Sequence, residues 1–409
     1  MNTFIALLLA SSSFCCTYAS SVDSVLNSNG LFNAFSALTE DGVLDVLNDK
    51  GAVSKAFSAF SQQFDKSDNA DKLDVFQANL KKIASHNLNA RKSGGFEKGV
   101  NQFSDLQNVR RFAGVFSAKS QRLHDFSTNS LANRQTFRCE STAKSRIVIW
   151  TYEETVQQFT GYKKSNKTKG FSSLATPQKP PLAKKWSTPP ASLDWRTYKM
   201  VSPVKNQAGC GSCVFFATTG THESSHALFH NGEILDLSEQ ELIDCARGDG
   251  NNGCQGGTFV PTFKYLTSTG QSLEAEYAYT GSDSDGWDQA ECKAAGLNHP
   301  SKLTGWWPVK PATDEKALLT AVANYGPVSV AICVNDDFVR YKRGVLDTDC
   351  NCGRNHAVVV VGYGSEGGKD FWIVKNSWGE GFGEGGYIKM RRNKKNMCDI
   401  AGDAVFVNA

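Results

Sequence analysis

Beyond its first 19 residues the chain lacks any apolar run near the ~18 residues a membrane-crossing helix needs, so no membrane span is expected. It also lacks a charge excess. Lys+Arg 44 against Asp+Glu 41 leaves +3 over 409 residues, whereas a dedicated nucleic-acid binder depends on a strong basic surplus, so no nucleic-acid partner is expected. Nor is it short of core-forming residues: 40% apolar, 11% aromatic and 21% charged side chains exclude a largely disordered or fibrous chain. The length predicts more than one folding unit. What is plentiful is cysteine, twelve in all.

The compartment decides how those cysteines are read. Residues 1–19 combine a short apolar stretch with small residues up to Ala19, the pattern of a secretory signal cleaved after that residue. Cys15 and Cys16 leave with it, and the remaining ten enter an oxidising route where disulfides persist. Asn166-Lys167-Thr168 is a glycosylation sequon that fits this route, with a lysosomal or extracellular destination.

The rest divides near residue 186. Residues 20–186 carry net charge +9 and residues 187–409 carry −6, which suggests that the two segments dock, with solvated charge faces as the alternative. Upstream, residues 20–60 read as weak helix, and Leu73, Phe76, Leu80 and Ile83 recur at helical spacing within 64–92. Residues 99–106 alternate like a short strand ending in a turn. From 110 to 186 periodicity fades, predicting a long exposed basic connector open to proteolysis at Lys163-Lys164 and Lys184-Lys185. Downstream, a helix is expected over 212–230 and a second after Ser238, with Glu241 completing a capping box. Strands are expected over 328–334, 357–363, 371–375, 387–392 and 404–407. Helices first and strands later predict an α+β fold of two lobes.

Cys213 opens the first downstream helix, where the dipole and unpaired N–H groups favour a thiolate, the preparation a nucleophile needs. His356, at the head of an apolar strand, is the candidate general base, and Asn376 the candidate orienter of its ring. Gln207, six residues before Cys213, is placed to donate to a developing oxyanion beside the Cys213 N–H.

Cys210-Gly211-Ser212-Cys213, His356 lying 143 residues on, and Asn376-Ser377-Trp378-Gly379 resemble the papain family of cysteine proteases, cathepsins included. The likeness runs through Leu193-Asp194-Trp195-Arg196 and Ser238-Glu239-Gln240-Glu241-Leu242. Upstream, Asp68, Lys72, Phe76, Asn79, Ile83 and Asn87 resemble the family's pro-helix motif with two conservative changes, and Gly99, Asn101, Phe103 and Asp105 match its second propeptide motif.

The resemblance implies a papain-like fold, a helical left lobe and an antiparallel β-barrel-like right lobe preceded by a mainly helical propeptide. The implied organisation is signal peptide 1–19, inhibitory propeptide domain 20–109, basic connector 110–186 and catalytic domain 187–409. It implies a zymogen of a cysteine endopeptidase acting through a Cys-His thiolate-imidazolium pair, with no cofactor. No His-His occluding loop lies between Cys254 and Cys292, which argues against an exopeptidase. Protein substrates, the chain's own propeptide and cystatin-like inhibitors are the implied partners of a monomer. By resemblance Cys210 pairs with Cys254, Cys245 with Cys292 and Cys350 with Cys398, leaving Cys333 and Cys352 for an extra bridge, while exchange between Cys350 and Cys352 stays open. Cys139 is either a free thiol or an interchain partner. Gly256 and Gly257 are implied as the edge that pairs with extended substrate, Trp378 as the shield of the Asn376–His356 bond. Asp403 is implied as the floor of the pocket for the second residue before the cut, where an acid admits Arg or Lys. Acidification from about pH 6 to 4 is expected to protonate carboxylates at the propeptide contact and speed processing.

Two departures stand out. Val214 and Phe382 replace aromatic residues usual in the family and predict altered packing around the cleft. His222-Glu223-Ser224-Ser225-His226 also spells a zinc-protease motif, but the longer metal-binding pattern fails at Phe229, so no metal is expected. A catalytically silent, protease-shaped binding protein is the alternative.

Overall fold

The computed structural model describes residues 47–63, 70–101, 104, 159–163, 188–281 and 291–409. The signal segment, Asp68, Phe103, Asp105, Cys139 and Asn166 lie outside the described residues.

Upstream, α1 (Lys50–Gln63) and α2 (Ala70–Ser93) bury one face each against the other. Phe57, Phe60, Phe76, Leu80 and Ile83 form a small separate core, with the Phe60 and Phe76 rings 4.8 Å apart. The expected strand begins earlier than the pattern suggested, as β1 (Glu97–Lys98), and Ser104 N–H donates to Asn101 C=O at 2.9 Å. Asn87 is the reason for the shift. Its side chain accepts from Lys98 N–H at 2.7 Å and donates to Lys98 C=O at 2.8 Å, holding the backbone extended one turn of chain before the motif glycine.

β2 (Leu193–Asp194) opens the downstream part, followed by α3 (Cys213–Phe229), α4 (Glu239–Cys245) and α5 (Phe259–Ser268). α3 is buried almost all round, as an interior helix must be, and its polar side chains find partners: Thr221 and Ser329 hydroxyls meet at 2.7 Å, and Ser224 bonds back to Gly220 C=O at 2.8 Å. Only half of the capping box at α4 forms. Ser238 Oγ accepts from Glu241 N–H at 3.0 Å, but the Glu241 carboxylate turns away to Ser272, Tyr265 and His299, whose donors lie deeper in the lobe.

The remaining elements are β3 (Gly305–Pro308), α6 (Glu315–Tyr325), β4 (Val328–Ile332), α7 (Asp336–Val339), β5 (Tyr341–Arg343), β6 (Val345–Leu346), β7 (His356–Glu366), β8 (Lys369–Lys375), β9 (Tyr387–Arg391) and β10 (Asp403–Asn408). The sheet order is β3-β10-β4-β7-β8-β9-β6, with β2 added to β7. All pairings are antiparallel except β6 with β9. The fold is α+β, but the sheet does not close. Among the described residues its end strands β3 and β6 do not pair, so the barrel-like sheet of the right lobe is not a closed barrel. The apolar run Ala357–Val361 sits at its middle and is buried on both faces, with α3 covering one of them.

The upstream part docks on β5, which lies outside this sheet and forms a two-stranded ladder with β1. β1 pairs antiparallel with β5, Gly99 N–H donates to Arg340 C=O at 2.8 Å, and Asn101 Nδ2 donates to Val339 C=O at 2.5 Å. Ion pairs flank the strand: Lys98 to Asp337 at 2.7 Å and Arg343 to Glu97 at 2.9 Å. Opposite charges therefore meet at the contact, although backbone recognition by asparagine runs through its centre.

Between the lobes lies a buried charge cluster. Lys205 Nζ contacts Glu223 and Glu239 at 3.1 Å each and Asp236 at 2.7 Å, and Glu223 also accepts from Leu237 N–H and Ser202 Oγ. Both glutamates are almost wholly inaccessible, so neither tolerates an unpaired charge. Lys205→Met is expected to destabilise the catalytic part by about 3 kcal/mol or more, read as a lowered urea midpoint with an unchanged slope. An unshifted midpoint would show that the cluster contributes nothing.

Candidate active site

Two elements bring the central residues together. α3 places Cys213 at its N-terminus and β7 places His356 at its start, and Ala357 N–H donates to Cys213 Sγ at 3.4 Å. Ser212, the residue before the helix, makes no side-chain cap. Its hydroxyl meets Tyr279 Oη at 3.0 Å instead, which leaves the first-turn amides to face the sulfur.

The tautomer of His356 follows from its neighbours. Asn376 Oδ1 accepts Ser377 N–H at 2.9 Å, which fixes that atom as the oxygen, and it lies 2.8 Å from His356 Nε2. Nε2 therefore carries the proton, and Nδ1, buried and without a hydrogen bond among the described residues, is the bare nitrogen. Trp378 packs over this pair, its ring 4.9 Å from the imidazole, and Phe382 meets Trp378 edge-on at 5.2 Å. Phe382 thus fills the space of a larger aromatic without opening the bond to water. Val214 is fully buried in the left-lobe core.

Gln207 is clamped. Its Oε1 accepts Ser377 Oγ at 2.6 Å and its own backbone N–H donates to Ser377 C=O at 2.8 Å. Nε2 is consequently aimed toward the cleft, at 2.8 Å from Cys210 C=O and 3.1 Å from Phe159 C=O. Tyr279 donates to Gln207 C=O at 2.6 Å, a support that no sequence pattern marked.

Phe159 belongs to the upstream connector, and here the expectation of a wholly exposed connector fails. Residues 159–163 run through the cleft. Gly161 N–H donates to Cys213 Sγ at 3.1 Å, Gly257 N–H to Gly161 C=O at 2.8 Å, and Lys163 N–H to Gly257 C=O at 2.8 Å, a parallel bridge. Trp378 Nε1 donates to Phe159 C=O at 3.1 Å. Two glycines permit this approach: a Cβ on Gly161 would strike the Gly211 carbonyl, and one on Gly256, whose φ is +93°, would strike Gly161 itself. Periodicity was silent because a five-residue extended segment with no repeat has no pattern to show.

Burial under this segment governs the electrostatics. Desolvation pushes the Cys213 thiol up to about 11 although several backbone N–H groups pull it down, and desolvation lowers His356 to about 4 against the Asn376 bond. Both shifts favour the neutral thiol and the neutral imidazole in the covered cleft. The helix dipole alone does not make a thiolate here.

The remaining sequence candidates are placed as follows. Disulfides join Cys210 to Cys254, Cys245 to Cys292, Cys333 to Cys352 and Cys350 to Cys398, and Cys213 is free. Asp403 accepts from Tyr162 Oη at 2.7 Å and lies 3.0 Å from Arg354 Nη2. Phe76 and Ile83 are core residues of the upstream unit, Asn79 donates to Ser104 C=O at 2.9 Å, and Lys72 lies on α2. The zinc-motif residues are absorbed by packing. His222 uses both ring nitrogens, with Gln271 Oε1 at 2.9 Å and Ser301 Oγ at 2.8 Å, while Glu223 belongs to the Lys205 cluster.

Comparison with known proteins agrees in both halves. Residues 189–408 match the family model described as papain family cysteine protease, and residues 57–109 match the cathepsin propeptide inhibitor domain. Digestive cysteine proteinase 3 of Homarus americanus is 37% identical over 71% of this chain and 85% of its own length. The cathepsin L-like proteinase of Fasciola hepatica is 31% identical over 84% of this chain and 88% of its own. Among solved structures, digestive procathepsin L 3 of Tenebrio molitor larval midgut superposes with a TM-score of 0.65 at 31% identity, covering 87% of this chain and 99% of that one.

The neutral, covered thiol gives a direct expectation. Iodoacetamide should alkylate Cys213 of the intact chain only slowly at pH 7.5, with a rate still climbing at pH 10, and far faster at pH 7.5 once the upstream part is removed. Equal rates before and after removal, followed by mass spectrometry, would count against burial as the control.

Proposed function

The chain belongs to the papain family of cysteine proteases, and from that membership we propose a zymogen of an endopeptidase whose catalytic residues are Cys213, His356, Asn376 and Gln207. The observation that carries the assignment is the 2.8 Å His356–Asn376 bond, which leaves Nδ1 as the bare nitrogen on a ring presented beside the Cys213 sulfur. Once the cleft is open to water, desolvation relaxes and Nδ1 takes the thiol proton, giving the thiolate-imidazolium pair. The thiolate adds to the substrate carbonyl carbon, and the oxyanion is met by Gln207 Nε2 and the Cys213 N–H. His356 Nδ1–H then protonates the leaving amine as the C–N bond breaks, and water, deprotonated by the same nitrogen, hydrolyses the thioester.

Gly256, Gly257 and Trp378 would receive an extended peptide with the contacts now made by residues 159–163, and Asp403 faces the adjoining side-chain pocket. The organisation into signal peptide 1–19, propeptide domain 20–109, connector 110–186 and catalytic domain 187–409 follows the same reading, with glycosylation at Asn166 and a lysosomal or extracellular destination. Four disulfides support that route. Incubation of the purified proprotein at pH 4.5 under mild reduction should release the upstream residues and generate peptide cleavage, while Cys213→Ala stays inactive. Processing without cleavage of any peptide would favour a silent binding protein.

Of the contact carboxylates, Asp337 is not the acid sensor. Although burial opposes it, hydrogen bonds from Lys98 and Thr348 hold the Asp337 carboxyl below its usual 3.8, so it keeps its charge through pH 6 to 4. His86 is the better candidate. Its Nε2 lies 3.0 Å from Phe96 C=O, its ring is 4.7 Å from Phe96, which stacks on Tyr341 of the catalytic part, and desolvation, then Lys98, lowers it from 6.5. A depressed histidine favours the docked form fully above pH 6.5, and that contribution is lost as pH falls through the lowered value. His86→Gln should flatten the rise in processing rate between pH 6.5 and 5; a profile superimposable on the wild type would remove His86 from the account.

A further inference from the structure

The side-chain pocket beside the nucleophile is already filled, and its occupant reports its chemistry. Tyr162 follows Gly161, whose N–H points at Cys213 Sγ, and its ring enters a recess against Phe259, with centroids 5.2 Å apart. Its backbone N–H is held by Asn355 C=O at 2.9 Å. At the far end its hydroxyl donates to Asp403 Oδ2 at 2.7 Å, burial before all else keeping that phenol protonated. An isolated carboxylate there would call for a basic side chain.

It is not isolated. Arg354 Nη2 lies 3.0 Å from the same Oδ2, and Arg354 Nη1 is paired in turn with Asp399. The guanidinium is largely enclosed, at 12% side-chain exposure, so water screens it little. Its position is also over-determined. Cys352, two residues before Arg354, is bonded to Cys333, and Cys398, one residue before Asp399, is bonded to Cys350. A Cβ at Gly402 would collide with both Arg354 and Asp399, so the chain leaves that space to the pair. Asn396 Nδ2 steadies Asp399 at 2.8 Å.

We propose that Arg354 is a specificity-determining residue: by pairing with Asp403 it converts a pocket suited to arginine or lysine into one that selects tyrosine. The inference rests on the reading that Cys213 cleaves peptides in this cleft. An incoming guanidinium would meet a carboxylate oxygen already engaged by Arg354 and would have to sit beside that fixed cation, so entry costs desolvation and like-charge repulsion at close range. A phenol avoids that cost. Its ring replaces Tyr162 against Phe259, and its hydroxyl donates to an oxygen with acceptor capacity to spare. Because Arg354 continues to satisfy Asp403 when no hydroxyl arrives, phenylalanine is tolerated, and the gain of tyrosine over it is that of one hydrogen bond, roughly fivefold to tenfold.

The test uses acid-processed enzyme, with active sites counted by an epoxide that alkylates Cys213. Peptides differ only at the residue that fills this pocket: Tyr, Phe, O-methyltyrosine, Leu or Arg. Wild type should show the highest kcat/KM for Tyr, a loss of roughly fivefold to tenfold for Phe and O-methyltyrosine, and the lowest value for Arg. Arg354→Met should raise the Arg-to-Tyr ratio at least roughly tenfold. Arg cleaved as well as Tyr by the wild type, or a ratio unmoved in Arg354→Met, overturns the proposal. If that variant fails to fold, the wild-type comparison of Tyr with O-methyltyrosine decides alone, and equal values refute it. Failure of the epoxide to label Cys213, with no peptide cleaved, would overturn the protease reading together with this one.

Discussion

The contact between the head of α3 and the head of β7 is the constraint on which the rest depends. The sulfur of Cys213 and the backbone N–H of Ala357 meet at 3.4 Å, so a helix of one lobe and a strand of the other must be held in a fixed relation. The burial of α3 along its length and the doubly buried run of β7 provide that relation through apolar packing. Beneath the contact, the Lys205 cluster ties α3 and α4 to the start of the catalytic part through two glutamates almost wholly closed to water. Opening the lobes would expose the apolar face and leave those charges unpaired together. On that base, hydrogen bonds to Ser377 position the side chains of Gln207 and Asn376, and Asn376 in turn positions His356.

Inhibition uses the same surfaces at low cost in side chains. The upstream unit attaches through backbone groups, read by Asn87 and Asn101, and residues 159–163 occupy the cleft through their own peptide N–H and C=O groups. A peptide bond at Gly161 therefore sits where a substrate bond would, yet the sulfur receives an N–H rather than facing a carbonyl carbon. Covering the cleft also removes the water that would stabilise a thiolate and an imidazolium, so occupation and electrostatic silencing come from one event. The wide charge asymmetry between the halves resolves into a few ion pairs at the rim of this contact, where they set orientation more than strength.

Much of this was readable from spacing and residue type. The helix that begins at Cys213 carries a continuous buried composition, and the run Ala357–Val361 is too apolar to be anything but a central strand. Where reading failed, a nonlocal partner was responsible. Glu241 had the spacing of a capping box, but Ser272 and His299 reach it from elsewhere in the lobe. The zinc-like motif placed two histidines on one helical face, and that face turned out to be interior, where Gln271 and Ser301 occupy both nitrogens of His222 and Ser301 also meets Nδ1 of His226. The last strand of the sheet, β6, is two residues long and pairs parallel with β9, a pairing that alternation along a single strand cannot announce.

The sequence by itself determined the family likeness and pointed to the candidate catalytic groups, because a cysteine opening a buried helix, a histidine opening an apolar strand and the motif asparagines are local features. The opposite charges of its two segments suggested docking but left solvated faces as the alternative. Only the tertiary structure decided the protonation of those groups, the passage of residues 159–163 through the cleft, and the pairing of Asp403 with Arg354. Each of these depends on which distant atoms exclude water or supply charge around a group. Arg354 and Asp403 are 49 positions apart in the chain and 3.0 Å apart in space.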